Sequence, residues 1–251
     1  MRKLFGFLIL NIVFIGTLSG QKYAFEIQEI NVKDGLPHRS IYDIGKDRQG
    51  YLWLSYQGGI CRYDGYDFKT FPPSFLNIGK NPVHFSIDKH NRIWYSENSR
   101  YENSCGIILP ETDSILTIDE FSNGLINSSE IFSINNSRAN PDLILIVTNQ
   151  GTVFKYDSNA DQFAKIFETG KEGIYMHCES FKEGVYWIAA HNCIYMKDEN
   201  TGETKVYKSS FEGMQVIKLT PYYSNFIIEA KERGTLDEKY FTVEDLSLIH
   251  I

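Results

Sequence analysis

The feature that most constrains this chain is a unit that recurs about every 41 residues. The run Leu52 to Asp64 aligns without gaps on Leu145 to Asp157 and on Tyr186 to Asp198, with a fainter copy from Ile93. Taking Trp53, Trp94, Ile146, Trp187 and Ile228 as reference positions, the successive spacings are 41, 52, 41 and 41. Three residues before each Trp, and before Ile228, stands a residue suited to a left-handed turn: Gly50, Asn91, Gly184 and Asn225. Gly and Asn adopt positive φ at low cost, as tight hairpins require. Stretches rich in strand-forming residues precede them, at Ser40 to Ile44, Val83 to Ile87, Glu130 to Ile134 and Ile174 to Cys178.

One unit therefore reads as strand, turn, Trp strand, Gly loop, Tyr-Asp strand, turn and aromatic strand, the last at Tyr66 to Phe71. A four-stranded antiparallel meander of that length is the size of a propeller blade. Leu52 to Leu54 and Leu143 to Val147 are apolar on both faces of the strand. Stacked blades bury both faces, whereas a sandwich exposes one and alternates more cleanly. The expected fold is all-β: a β-propeller with about five blades present, either an incomplete ring or a closed five-bladed one. An open ring leaves two apolar blade faces bare, which predicts poor solubility for 21–251 alone.

Arg2 and Lys3, the apolar run Leu4 to Ile15 and the small residues Thr17 to Gly20 read as a cleaved signal peptide over 1–20. The apolar run is short for a membrane span, so the mature chain is expected outside the cytoplasm. The propeller would occupy 21–245, with Tyr23 to Ile30 as a leading strand. Residues 246–251 match no repeat and form an atypical tail. Net charge is −7 and no Lys/Arg run lines up as a phosphate track, which excludes nucleic acid as a partner. Cys178 aligns with Ile44 on a first strand and Cys193 with Gly59 on a third. Two strands that flank a third are ~10 Å apart, too far for a disulfide, so free thiols are expected. No metal-ligand spacing and no cofactor motif occurs, and no catalytic residue is assigned.

The segments Asp34-Gly35-Leu36-Pro37, Asp47-x-x-Gly50-Tyr51-Leu52-Trp53-Leu54 and Gly58-Gly59-Ile60-x-Arg62-Tyr63-Asp64-Gly65 resemble the repeat of two-component regulator propellers. Asn123-Gly124-Leu125 opens a later copy in the same way. The resemblance implies the periplasmic sensor region of a Bacteroidetes-type, often hybrid, histidine kinase, frequently glycan-responsive and anchored in the inner membrane. It also implies partners: the remaining blades and kinase of the same chain, a second copy in a homodimer, and a small oligosaccharide or other extracellular ligand.

Blade geometry puts the turns after first and third strands on one rim, and the Gly loops and entry segments on the other. The second rim is richer in hydrogen-bonding groups and is the expected ligand face. Its candidates are His38, Arg39, Tyr56, Gln57, His84, Arg100, Tyr101, Asn149, Gln150, His191 and Asn192. Ordinary surface polarity is the competing explanation for each of them. Trp53, Trp94 and Trp187 are expected as core wedges rather than stacking platforms. An exported propeller enzyme acting on polysaccharide (a glycosidase or lyase) and a scaffold or adhesion propeller are the alternatives in function.

Overall fold

The computed structural model describes residues 29–79, 81–97, 104–169, 176–190, 193–209, 214–222, 225–232, 238–242 and 246–249. The expected signal peptide and residues 23–28 of the expected leading strand lie outside them.

The described residues form successive antiparallel meanders. Blade 1 comprises β1 (Ile41–Lys46), β2 (Leu52–Tyr56), β3 (Gly59–Tyr63) and β4 (Phe68–Phe71). Blade 2 comprises β5 (Val83–Ile87), β6 (Ile93–Glu97), β7 (Cys105–Leu109) and β8 (Ser114–Leu116). Blade 3 comprises β9 (Ile131–Asn136), β10 (Leu143–Thr148), β11 (Thr152–Asp157) and β12 (Gln162–Glu168). Blade 4 comprises β13 (Met176–Lys182), β14 (Val185–Ala190), β15 (Cys193–Asp198) and β16 (Thr204–Ser209). Blade 5 shows three strands, β17 (Met214–Tyr222), β18 (Asn225–Glu232) and β19 (Glu238–Thr242). The terminal β20 (Leu246–Ile249) pairs with β16. All five reference positions fall on the second strand of a blade. The longer spacing before Ile146 is absorbed by the β6–β7 loop and by a connection carrying the helical turn Ile118–Phe121. The expected strand at Tyr66 is shorter in fact: Asp64 accepts from the Tyr66 and Asp67 amides at 2.8 Å and holds Tyr66 in a turn.

Consecutive blades pack first strand against first strand, β1 on β5, β5 on β9 and β13 on β17. A hydrophobic cluster fills each junction. Trp53, Ile60 and Phe71 meet Val83, Ile93 and Tyr95 between blades 1 and 2. Along β10, Ile144 and Ile146 point into the cluster with blade 2, while Leu145 and Val147 point into the cluster with blade 4. Successive side chains of a strand alternate faces, so a strand between two blades must be apolar throughout. Blade 1 shows the converse. Gly45 faces Phe85 and Ile87 of blade 2, and the alternate residues Tyr42 and Ile44 are 39% and 65% exposed. Among the described residues the five sheets do not close into a ring.

Asp47 and Asp88 build the first-strand turns. Asp47 Oδ1 accepts from the amides of Gln49 (2.9 Å) and Tyr51 (3.0 Å), and Oδ2 accepts from the Trp53 indole N–H at 2.8 Å. Asp88 repeats the pattern with His90 N (2.8 Å), Arg92 N (3.0 Å) and Trp94 Nε1 (3.0 Å). Gly50 and Asn91 close these turns at φ 96° and 60°. Trp53 and Trp94 are completely buried, and Trp187 is half-buried against Phe181 and Tyr207.

Cys178 pairs across to Ile188, and Ile188 to Tyr195, so β14 separates Cys178 from the strand bearing Cys193. No disulfide joins Cys61, Cys105, Cys178 or Cys193. Burial pushes the Cys61 and Cys105 thiols up to about 12.

Asp88→Ala strands a buried indole N–H and a half-buried guanidinium, so it is expected to cost about 3–5 kcal/mol. Asp88→Asn keeps one acceptor and costs less; urea unfolding of both variants measures the difference. The raised thiols add a pH dependence. An unfolded cysteine ionises near ~8.5, below the folded value. This contribution to stability is therefore whole under pH ~8.5 and is lost as pH rises toward about 12. Urea midpoints at pH 7.5 and 10 should fall less in Cys61→Ala than in the parent chain.

Candidate functional site

Among the described residues the Gly-loop rim is built by the β2–β3 and β10–β11 connections together with the segments that enter blades 1 to 3. Gly58 and Gly151 take φ 90° and 85°, reversing the chain between Tyr56 and Gly59 and between Thr148 and Thr152. This compact turn leaves Gln57 and Gln150 exposed at the rim.

The structure brings some candidates together. The His38 and Tyr56 rings lie parallel within 19°, centroids 6.4 Å apart. His38 is fixed from its other side, because Nδ1 accepts from Ser40 N at 3.0 Å. Tyr56 crosses the strand pair to cover Gly59, its register partner. A Cβ at Gly59 would sit 2.6 Å from the Tyr56 hydroxyl and 3.0 Å from the Phe71 carbonyl. Glycine is thus required for Tyr56 to lie where it does. Burial, with Cys61 nearby, raises the Tyr56 phenol above its ordinary range, so it is a neutral hydroxyl at physiological pH. His84 joins blade 1 to blade 2, with Nδ1 3.3 Å from Asp43 Oδ2, and the same oxygen lies 3.4 Å from Phe85 N. Arg39 is exposed at the blade 1 entry.

Other candidates stay apart. Asn149 and Gln150 belong to blade 3, where Asn149 N donates to Glu130 O at 2.7 Å. Arg100, Tyr101, His191 and Asn192 lie outside the described residues. Among the described residues no group of three His, Cys, Asp or Glu side chains is placed to hold a metal ion.

One residue of this rim has a role that its loop position alone did not reveal. Glu97 is buried at the end of β6, and its carboxylate accepts from Gly79 N (2.9 Å), Asn81 N (3.1 Å) and Asn81 Nδ2 (2.9 Å). It thereby ties the entry segment of blade 2 to the blade's second strand. Asp43 was also missed; only its pairing with His84, 41 positions away, marks it. Asp88, Arg92, Tyr156 and Asp161 meet on the opposite rim, and no spacing in the chain relates them.

Gly59→Ala should displace Tyr56 from His38 while leaving β3 paired. Glu97→Ala should free the 77–81 segment. The expected results are a loss of the Tyr56 ring-current shift on His38 protons in the first variant, and faster amide exchange at Gly79 and Asn81 in the second. Unchanged exchange in Glu97→Ala would remove the carboxylate as the anchor.

The sequence profile of the family described as two component regulator propeller matches residues 35–58, which span the blade 1 entry, β1, the Asp47 turn and β2. No curated protein matches the chain significantly. Among solved structures, the extracellular domain of a hybrid two component system from B. thetaiotaomicron superposes at a TM-score of 0.51 and 13% identity, over 89% of this chain. The match covers 36% of that domain, so the chain spans about a third of its length. A catalytically inactive virginiamycin B lyase from Staphylococcus aureus, solved with quinupristin, superposes at 0.55 and 13% identity, over 85% of this chain and 71% of the lyase. At such identities the likeness is one of fold. No helix among the described residues is long and apolar enough to cross a membrane. The first blade therefore matches the two component regulator propeller repeat over residues 35–58, within a fold of four-stranded antiparallel propeller blades.

Proposed function

We propose that this chain is the extracytoplasmic, ligand-sensing propeller of a two-component histidine kinase receptor, responsive to a glycan and without catalysis of its own. The single observation that carries the reading is the family's profile on blade 1, residues 35–58. The likeness in fold to an extracellular domain of a hybrid two component system supports it. In this reading the signal peptide delivers the chain to the periplasm, and the kinase follows in the same polypeptide, which works as a homodimer. The Gly-loop rim meets the ligand. His38, Arg39, Tyr56, Gln57 and His84 supply flat apolar faces and polar edges at blades 1 and 2, and Asn149 and Gln150 continue the rim at blade 3. Such groups match the alternating CH faces and hydroxyl edges of a sugar. Arg100, Tyr101, His191 and Asn192 complete the proposed face.

The superposition on virginiamycin B lyase favours a second reading, a propeller that cleaves its ligand. One experiment separates the two. The chain is incubated with a panel of neutral and acidic oligosaccharides and scored for both thermal stabilisation and product release. A ligand at one hundred times its dissociation constant stabilises the folded state by about 2.7 kcal/mol. The sensor reading expects that stabilisation with the oligosaccharide recovered intact, and its loss when Arg39, Gln57 and His84 are together replaced by Ala. Cleavage products would overturn the non-catalytic reading, and an undiminished shift in the triple variant would exclude this rim.

A further inference from the structure

The rim opposite the Gly loops bears two clefts on either side of Arg92. One, of about 420 Å³, lies between the Lys89 to Arg92 turn and Leu109 to Thr112. The other, of about 350 Å³, lies between blades 2 and 3 and is lined by Phe121, Asn123, Leu125, Tyr156, Asp161 and Phe163 among others. The second is apolar on its aromatic side and carries a carboxylate at its mouth.

The inner wall of that cleft already holds one organic cation. Arg92 Nε donates to Asp88 Oδ2 at 2.5 Å, and its NH2 donates to the Tyr156 hydroxyl at 2.6 Å. Its guanidinium carbon lies 4.7 Å from the Phe121 ring centre and 5.3 Å from that of Tyr156. The face of an aromatic ring is electron-rich and attracts such a cation, more strongly where water is partly excluded. Phe163 extends the same wall outward, its ring 4.8 Å from Tyr156 and 5.9 Å from Phe121.

At the mouth, the Asp161 side chain is 71% exposed. Its Oδ1 accepts from the Tyr156 hydroxyl and lies 3.8 Å from Arg92 NH1. Its Oδ2 accepts no hydrogen bond within the described residues. Asp161 and Asn123 both take left-handed φ, 55° and 53°, which Asp and Asn tolerate better than most residues. Leu125, 54% exposed, adds an apolar surface beside them. An anion here would face a carboxylate, and a wholly apolar guest would desolvate Asp161 Oδ2 with nothing to replace its water. A cation with an apolar surround satisfies the rings and the carboxylate together.

We propose that this cleft binds a small organic cation, an alkylated ammonium or a guanidinium. The cation stacks on the outer aromatic wall and pairs with Asp161. Two sources share this chemistry: a free small molecule and the basic side chain of a peptide.

The probes are choline, its neutral isostere 3,3-dimethyl-1-butanol, and the amides of acetyl-arginine and acetyl-lysine, each titrated against the full chain and followed by saturation-transfer NMR. At least one cation is expected to bind while the isostere does not, with affinity falling as salt rises. Choline alone would identify a free cation as the ligand, and an amino-acid amide alone a peptide side chain. Asp161→Asn, whose amide still tolerates the turn and accepts from Tyr156, should weaken binding about five- to tenfold with an unchanged melting temperature. Leu125→Ala, at an exposed position, should weaken choline less. Equal binding of the isostere, unaltered affinity in Asp161→Asn, or no binding by any probe would overturn the proposal.

Discussion

Much of this fold depends on a carboxylate that works in two directions. In blades 1 and 2 one oxygen of an aspartate organises the turn, and the other reaches inward to the indole N–H of the next strand's tryptophan. An indole buried without an acceptor is costly, and an aspartate buried without donors costs more. Each group makes the other's burial tolerable. The turn can therefore close only where the tryptophan is already seated, which couples the local hairpin to the interblade core. Trp53 and Trp94 are completely buried on these terms.

Stacking then sets what each strand must be. A blade held between neighbours has no polar face, and β10 is buried along its whole length. Among the described residues blade 1 packs against one neighbour, so Ile44 is open where its counterpart Cys178 is covered. At the rims the constraint relaxes. There polar groups tie elements together: Glu97 holds the entry of blade 2, and Arg48 reaches Asp142 at 2.7 Å across the Asp-turn rim.

The period, the second-strand position of the tryptophans and the left-handed Gly50, Asn91 and Gly184 were legible in the sequence because each is a local requirement repeated several times. Boundaries were less so. Tyr66 is an aromatic residue of the kind strands favour, yet the Asp64 carboxylate captures its amide and ends the turn one residue before β4 begins. The Gly-loop rim followed from blade geometry, whereas the contact of His38 with Tyr56 is a matter of packing that no spacing announces. The cluster around Arg92 was not legible at all. Its members come from the β5–β6 turn, a helical turn, β11 and a hairpin, and only the packing of two blades makes them neighbours. A pattern of spacing has nothing to report when the contact joins residues 64 apart by tertiary packing alone.

At the inner edge of the sheets, Asn136 deals with its neighbour as a strand would. Its side-chain amide donates to Ile87 O at 3.0 Å, and its oxygen accepts from Ile87 N at 3.3 Å. Asn135 reaches the other way and donates to Cys178 O at 3.1 Å. Two adjacent asparagines thus clasp the blades on both sides of blade 3 near the axis. Sliding blade 2 along that axis by one residue would strip both main-chain partners from Asn136 at once, whereas a slight splaying at the outer circumference would strip neither. The assembly is mechanically biased: stiff to shear at its hub, compliant to fanning at its perimeter.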